Sequence, residues 1–271
     1  MAKLSVCIES VFGDVPYKKR IETIARLGFK YYEFWFHNKG FTGSALTDEK
    51  KDFNMIAEMN EKLGLTTVGF VHCHADGGIQ ASLLNKSHRN KIVDSLGEII
   101  PLAKKIKCKN LISGGGNIDP AISDKKAEEN IVGNLKAIMP EMEKNGITVL
   151  LEPWNTKVDH PQNWLWDPAL AVRILKAVGS ENVKMLYDMY HMQIMTGNIS
   201  AFITENVKYI GHFHIAGVPG RHEPLEGNEV NYPFIIKQAQ KAGYKGAFGL
   251  EYWPTTDVKI SLKRCLDHFK G

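Results

Sequence analysis

Three acids and one histidine occupy equivalent places in the second half of the sequence, each near the end of a short apolar segment. They are Glu152 in LLEPW, Asp188 in LYDMY, His214 in HFHIAG and Glu251 in GLEYW. In one partly dehydrated site the three carboxylates would repel one another, and a divalent cation would remove that repulsion. Ligation by several oxygens and a single nitrogen suits Mn²⁺ or Mg²⁺, and also Co²⁺, better than a structural zinc ion. The four residues therefore predict a divalent metal site.

The segments around these residues alternate with stretches of helical periodicity. Eight candidate strands can be recognised: LSVCIES, YYEFWF, TTVGFVHC, NLISGGG, TVLLEPW, VKMLYDM, GHFHIAG and AFGLEYW. Strands that alternate with helices pair in parallel, which leaves a closed barrel or an open doubly wound sheet. Eight units in 271 residues, about 34 residues each, favour the barrel, and no GxGxxG fingerprint follows the first strand. We predict an α/β fold, a single-domain (β/α)8 TIM barrel over residues 1–271.

In such a barrel the last residues of all eight strands face one shared mouth, where the active sites of barrel enzymes are found. An isolated acid at a strand end is more often a surface salt-bridge partner than a metal ligand, so the prediction depends on the convergence of all four residues. Glu9 and Glu33 could equally be structural, and at most one of His72 and His74 is expected to enter the site. The glycine-rich SGGGN at 113–117 fits a permissive turn and only weakly a phosphate site.

The overall charge and composition argue against several classes of protein. Lys and Arg outnumber Asp and Glu by 34 to 30 without any basic tract, so nucleic-acid binding is not expected. No apolar run approaches the roughly 18 residues of a membrane span, and we expect a cytoplasmic protein with no membrane partner. The four cysteines lack CxxC spacing, which is typical of reduced thiols. The NWLW sequence at 163–166 could belong to a loop or to a subunit contact, and we expect a homo-oligomer that acts on a small molecule.

Five ordered sequence blocks in the second half are recognisable as a set. They are EPWNT at 152–156, YDMYHMQIMTGN at 187–198, HFHIAGVPGRHEP at 212–224, EVNYP at 229–233 and GLEYWP at 249–254. Together they resemble the hydroxypyruvate isomerase family, which belongs to the xylose isomerase-like barrels. The resemblance implies that the four residues named above ligate the metal ion and that Glu152 and Glu251 also transfer the proton. It further implies that His191 and Arg221 contact the substrate.

The reaction implied by the resemblance is the isomerisation of a small 2-oxo or hydroxy acid through an enediolate, without a redox cofactor. The substrate would be hydroxypyruvate, giving tartronate semialdehyde, or a 2-oxo-tetronate. Members of this family often carry Gln at the position of His214 and Asp at that of Gly217, whereas ketose 3-epimerases commonly have His as the ligand. The alternative is therefore a ketose 3-epimerase that acts on an uncharged sugar, while Arg221 favours an acid. An abasic-site endonuclease and a sugar-binding barrel without activity are alternatives from other classes.

Overall fold

A closed barrel of parallel strands is the centre of the computed structural model, which describes residues 2–42, 45–74 and 77–270. The strands in this part of the chain are β1 (Leu4–Cys7), β2 (Tyr31–Phe36), β3 (Gly40–Thr42), β4 (Ala45–Thr47), β5 (Thr66–Cys73), β6 (Asn110–Gly114), β7 (Thr148–Glu152), β8 (Val183–Asp188), β9 (Ile210–Ile215) and β10 (Phe248–Leu250). All except β3 and β4 belong to the barrel, in chain order, and β1 closes it by pairing with both β2 and β10. The predicted (β/α)8 TIM barrel is confirmed.

Helices connect successive strands on the outside of the barrel. They are α1 (Ile8–Phe12), α2 (Tyr17–Leu27), α3 (Phe53–Leu63), α4 (Arg89–Asp94), α5 (Leu96–Lys105), α6 (Asp124–Asn145), α7 (Pro168–Val178), α8 (Met189–Met195), α9 (Ile199–Asn206), α10 (Tyr232–Lys241) and α11 (Val258–His268). Helix α3 illustrates how local sequence sets their bounds. Asp52 accepts hydrogen bonds from the backbone N–H groups of Asn54 and Met55, and Gly64 ends the helix with a φ of 62°. Within the described residues, no helix is long and apolar enough to cross a membrane.

The first and the last predicted strands are the ones most shortened in the structure. The first strand ends at Cys7, because Ile8–Phe12 forms α1, and Glu9 therefore lies in a helix and not at a strand tip. The last strand is reduced to Phe248–Leu250, so that Glu251 directly follows it. An additional antiparallel hairpin, β3 with β4, lies between β2 and α3 and has no counterpart among the predicted strands.

The interior of the barrel is divided into an apolar half and a polar half. Successive side chains of a strand point to opposite sides, so alternate residues face the interior. The apolar half is a buried cluster of three residues: Ile112, Leu150 and Leu186. Strands β1, β2 and β9 contribute Ser5, Glu33 and His212 instead, all of them buried. Hydrogen bonds from Ser5 and His212 to Glu33 connect strands that are not all neighbours, and they satisfy the polar groups within the core.

His72 in β5 is a fully buried histidine away from the predicted metal site. Its Nε2 lies 2.9 Å from Ser95 Oγ, and its Nδ1 has no hydrogen-bond partner among the described residues. Burial, with a smaller effect from His37, lowers the pKa of His72 to about 4. An unfolded chain would protonate this histidine at a pKa of about 6.5. Between these two values the unfolded state binds more protons than the folded state, so stability falls as the pH falls.

We expect the preferential protonation of His72 in the unfolded state to lower the free energy of unfolding by about 3 kcal/mol as the pH falls from 6.5 to 4. His72→Gln keeps a group that can bond to Ser95 but does not titrate, so its free energy of unfolding should fall less steeply over this range than that of the unchanged protein. Urea unfolding at pH 7 and at pH 4.5 measures the difference. An equal loss in both proteins would contradict the assignment of acid sensitivity to His72.

Candidate active site

The four residues predicted to bind a metal ion meet at the carboxyl ends of strands β7 to β10. Glu152 and Asp188 are the last residues of β7 and β8, His214 lies one residue before the end of β9, and Glu251 follows β10. One ligand atom from each lies within 4.8 Å of those from the other three, and all four residues are buried. The strand register accounts for the convergence, because Asp188 pairs with His214, and His214 pairs with Gly249 two residues before Glu251.

Asp188 is oriented by helix α8, which begins at the following residue. Its Oδ1 accepts hydrogen bonds from the backbone N–H groups of Tyr190 at 2.8 Å and His191 at 3.4 Å, as a helix N-cap does. Its Oδ2 lies 3.4 Å from Arg221 Nη2 and 3.4 Å from His191 Nε2. Burial raises the pKa of Asp188 to about 7, although Arg221 opposes the shift. One carboxylate oxygen is thus occupied by the helix and the other faces the site.

Glu251 receives contacts from both sides of the site. Its Oε1 accepts a hydrogen bond from Trp35 Nε1 at 2.8 Å, and the Cys7 thiol lies 3.7 Å away. Its Oε2 lies 2.7 Å from Arg221 Nη2 and 3.1 Å from His214 Nδ1. Burial alone would raise the pKa of Glu251, but the charges of His214 and Arg221 outweigh it and lower the pKa to about 2. Glu251 is therefore ionised near neutral pH.

His214 lies between the carboxylate of Glu33 on one side and those of Glu152 and Glu251 on the other. Its Nε2 lies 3.0 Å from Glu33 Oε2 on one side, and its Nδ1 lies 3.4 Å from Glu152 Oε1 on the other. Burial alone would lower the pKa of His214, but the charges of Glu251 and Glu33 raise it well above its usual value. His214 Nδ1 and Glu152 Oε1 lie within ion-pair distance of each other, but among the described residues neither atom makes a hydrogen bond of good geometry.

These two buried atoms and the chemistry of the donors fit a divalent cation. Two buried polar atoms without hydrogen bonds are costly unless another group satisfies them. Three carboxylates and one imidazole are suitable ligands for Mn²⁺, Mg²⁺ or Co²⁺. The residues that would hold the ion are those predicted from the sequence: Glu152, Asp188, His214 and Glu251.

Arg221 reaches this cluster from the loop after β9. Its φ of 57° lies in the left-handed region, which is uncommon for a residue with a side chain. Backbone hydrogen bonds from Arg221 N to Gly217 O at 2.9 Å and from Trp253 N to Arg221 O at 2.8 Å hold this conformation. The guanidinium lies 5.0 Å from the centre of the Tyr190 ring, a distance that allows a cation–π interaction. The loop therefore fixes a positive charge beside Asp188 and Glu251.

His191, the other residue predicted to contact the substrate, is buried next to Arg221. Its Nδ1 lies 2.6 Å from Asn155 Nδ2, while Asn155 Oδ1 accepts two backbone N–H groups of its own loop, which determines the orientation of the amide. Since an amide NH₂ only donates, His191 Nδ1 accepts, and a neutral ring then carries its proton on Nε2. That proton can be donated to Asp188 Oδ2 at 3.4 Å, while Arg221 Nη2 lies 3.3 Å from the same nitrogen. Burial and the charge of Arg221 lower the pKa of His191 well below its usual value. His191 is thus a neutral donor that faces the site.

A cavity of about 330 Å³ opens above these residues. The tryptophans Trp35, Trp154 and Trp253 line it, together with five residues of the site: Glu152, His191, His214, Arg221 and Glu251. The Trp154 ring lies over Gly114, where an added Cβ would come within 2.6 Å of the ring. Gly114 of the SGGGN segment therefore permits close packing of the Trp154 ring.

A model of the family described as "Xylose isomerase-like TIM barrel" matches residues 21–267. The chain belongs to this family. Among curated proteins, this xylose isomerase-like barrel is 29% identical to a putative hydroxypyruvate isomerase of Danio rerio, over 97% of this chain and 95% of that protein. It is 28% identical to a 2-oxo-tetronate isomerase of Pectobacterium atrosepticum, over 97% and 96%, and 27% identical to a hydroxypyruvate isomerase of Escherichia coli, over 97% and 98%. These relatives identify the chain as an isomerase.

Solved structures show the same xylose isomerase-like barrel. A structure described as an AP endonuclease, family 2, from Brucella melitensis is 28% identical, with a TM-score of 0.86 over 97% of each chain. A structure of L-ribulose 3-epimerase has a TM-score of 0.77 over 98% of this chain and 93% of that chain. At 16% identity the epimerase supports the fold alone.

The sequence did not decide the roles of Glu9, Glu33, His72 and His74, and the structure shows where each of them lies in this xylose isomerase-like barrel. Glu9 pairs with the buried Lys51 at 3.0 Å, while Glu33 lies below His214 inside the barrel. His74 lines the cavity and His72 does not, as expected for one of the two. Strict alternation would place both on the same side of β5, but the pairing of β5 with β6 is irregular between Val71 and Cys73.

Two residues near the site were missed by the sequence interpretation. Asn155 orients His191, and Asp159 Oδ2 lies 3.8 Å from Arg221 Nη1 at the edge of the cavity. Both lie in the loop after β7, where no periodic pattern indicates the direction of a side chain. The available signal was the position of Asn155 inside the EPWNT block.

Proposed function

We propose that this protein is a divalent-metal-dependent isomerase that moves a carbonyl group between neighbouring carbons of a small 2-oxo acid, either hydroxypyruvate or a 2-oxo-tetronate. The observation that carries the proposal is the meeting of three carboxylates and one imidazole within 4.8 Å of one another beside Arg221. Nearly full-length similarity to proteins named hydroxypyruvate isomerase and 2-oxo-tetronate isomerase supports this substrate class.

Mn²⁺ or Mg²⁺ is the proposed ion, and Co²⁺ is also compatible with the donors. It would be held by Glu152, Asp188, His214 and Glu251. When bound, the cation supplies positive charge that acidifies the substrate C–H group and stabilises the enediolate.

Glu152 and Glu251 are the proposed acid–base pair. With hydroxypyruvate, one carboxylate removes a proton from C3, and the C–H electrons form the C2–C3 double bond of the enediolate. The other residue, present as the carboxylic acid, gives its proton to C2 as the carbonyl forms at C3, while the hydroxyl proton passes from O3 to O2. The two residues then recover their starting protonation states by proton exchange with solvent. No electron donor or acceptor is required. The Nε2–H of His191 and the Nη2 group of Arg221 would donate hydrogen bonds to the substrate oxygens.

Arg221 supports an acid as the substrate. Among the described residues that line the cavity, it is the only lysine or arginine. Its planar fork can bind a carboxylate through two parallel hydrogen bonds, which an uncharged sugar does not require. A ketose 3-epimerase is the second candidate, because a cavity of about 330 Å³ is larger than a three-carbon acid requires and His214 is the ligand common in such epimerases.

Solvent exchange at carbon tests the proposal directly. We expect the protein, supplied with Mn²⁺ in D₂O, to introduce deuterium at a carbon of hydroxypyruvate or a 2-oxo-tetronate, since the enediolate is protonated from solvent-exchanged carboxylates. Exchange can be followed by NMR after the Mn²⁺ is removed. Protein stripped with EDTA should introduce no label, and added Mn²⁺ should restore the exchange.

Ketohexoses tested in parallel distinguish the two candidates. Deuterium in a ketose, with none in any of the acids, would favour the epimerase and contradict the acid substrate. Full exchange by the EDTA-treated protein would contradict the metal requirement.

A further inference from the structure

Glu33 is a buried carboxylate beneath the proposed metal centre, on the opposite side of His214 from the other carboxylates. Its side chain is 1% exposed. Its Oε2 lies 3.0 Å from His214 Nε2 and 2.9 Å from His212 Nε2, and its Oε1 accepts a hydrogen bond from Ser5 Oγ. Each carboxylate oxygen is thus engaged by a group on another strand.

The contact with Glu33 determines which nitrogen of His214 is available to a cation. An ionised carboxylate can only accept hydrogen bonds, so His214 Nε2 must carry a proton in this contact. When the ring is neutral, its free electron pair is therefore on Nδ1. That atom lies 3.1 Å from Glu251 Oε2 and 3.4 Å from Glu152 Oε1, among the other proposed ligands.

The residues around Glu33 and His214 leave little room for either side chain to adopt another orientation. At Gly249, in the neighbouring strand β10, an added Cβ would lie 2.4 Å from Glu33 Oε1 and 2.7 Å from His214 Cδ2. The His212 ring packs edge-on against His214, with ring centres 5.3 Å apart. The absence of a side chain at position 249 makes room for the Glu33–His214 contact, and His212 confines the ring.

We propose that Glu33 is a positioning residue which, as an acceptor for His214 Nε2–H, presents Nδ1 to the divalent cation. The inference rests on the proposed metal centre, but not on the identity of the substrate. Groups that orient a metal-binding histidine commonly affect metal affinity by about 10- to 100-fold. Glu33 does not touch the proposed reacting atoms, so its effect should appear in metal binding before any chemistry.

Calorimetric titration of metal-free protein with Mn²⁺ tests this role in three variants. Glu33→Met keeps the approximate shape but removes the acceptor, and we expect its Mn²⁺ affinity to fall by about 10- to 100-fold. Glu33→Gln retains an oxygen that can accept from His214, so it should lose less affinity than the methionine variant. Tyr32→Phe is the matched control. It removes a partly buried hydrogen bond to Asn60 from the adjacent residue of β2, and it should bind Mn²⁺ like the unchanged protein.

A spectroscopic measurement separates positioning from a general loss of folding. In Mg²⁺-loaded protein labelled with ¹⁵N-histidine, the unchanged chain should show His214 protonated on Nε2, and Glu33→Met should lose this signature. Unchanged Mn²⁺ affinity in Glu33→Met, or an equal loss in Tyr32→Phe, would overturn the inference. If the unchanged protein bound no Mn²⁺, the metal centre and this inference would fall together. Glu33-dependent Mn²⁺ binding without turnover of any acid would support the inference and contradict only the proposed reaction.

Discussion

Glu152→Gln and Glu251→Gln are each expected to lower kcat by about 10²- to 10⁴-fold, the range associated with loss of a general acid or base. Glutamine preserves the size of the side chain but cannot take up the substrate proton. Both variants also lose one charge from the proposed metal centre, so kcat should be measured at saturating Mn²⁺, with Mn²⁺ affinity determined separately. Loss of turnover in a metal-loaded variant would identify proton transfer as the missing step.

Glu9→Gln provides the matched control for these two variants. Glu9 is buried near the same end of the barrel, but it is paired with Lys51 and bonds to the backbone of Trp35. We expect this variant to lose stability, because a buried lysine is left without its counter-charge, while kcat per folded molecule stays within about tenfold of the unchanged value. Substantial activity in both Glu152→Gln and Glu251→Gln would contradict the acid–base assignment.

Arg221→Met is expected to lower kcat/KM for a 2-oxo acid by about 30- to 4,000-fold, corresponding to about 2–5 kcal/mol for truncating one partner of a buried charge pair. The substitution removes the cation proposed to bind the substrate carboxylate and leaves Glu251 and Asp188 without their guanidinium partner. Methionine carries a side chain of similar length, so the left-handed backbone and its two hydrogen bonds can persist. Steady-state kinetics with an acid and with a ketose would measure the effect.

Two further variants determine whether the loss of kcat/KM is specific to a guanidinium at position 221. Arg221→Lys keeps the charge but not the planar fork, so it should restore only part of the activity. Lys157→Met removes an exposed cation that bonds to the backbone of Ile194 and Met195 outside the cavity, and it should have kinetics close to those of the unchanged protein. An equal loss of kcat/KM for the acid and the uncharged ketose would argue against carboxylate binding by Arg221.

The barrel and the four proposed ligands could be predicted because they depend on regular patterns. Parallel strands that alternate with helices close in chain order, and their carboxyl ends meet at one mouth. An acid at the end of β7 is therefore near an acid at the end of β8, however long the helix between them. The positions of Glu152, Asp188 and Glu251 follow from this rule once the strands are recognised.

The remaining site residues depend on geometry that sequence periodicity does not encode. Glu33 meets His214 across the interior of the barrel, and this contact requires the curvature of the sheet and a glycine on β10. Asn155 reaches His191 from a loop, where backbone hydrogen bonds and not alternation determine its direction. Glu9 seemed to belong to a strand tip, but the chain turns into α1 directly after Cys7.

The glycine at position 249 affects any attempt to transplant the site. A designer who copied the four proposed ligands onto another eight-stranded scaffold would also have to copy a position without a side chain. Even alanine there would collide with Glu33 and with the His214 ring, as the 2.4 Å and 2.7 Å approaches of an added Cβ indicate. The smallest set of residues that could be transferred is therefore the four proposed ligands together with a glycine in the eighth barrel strand.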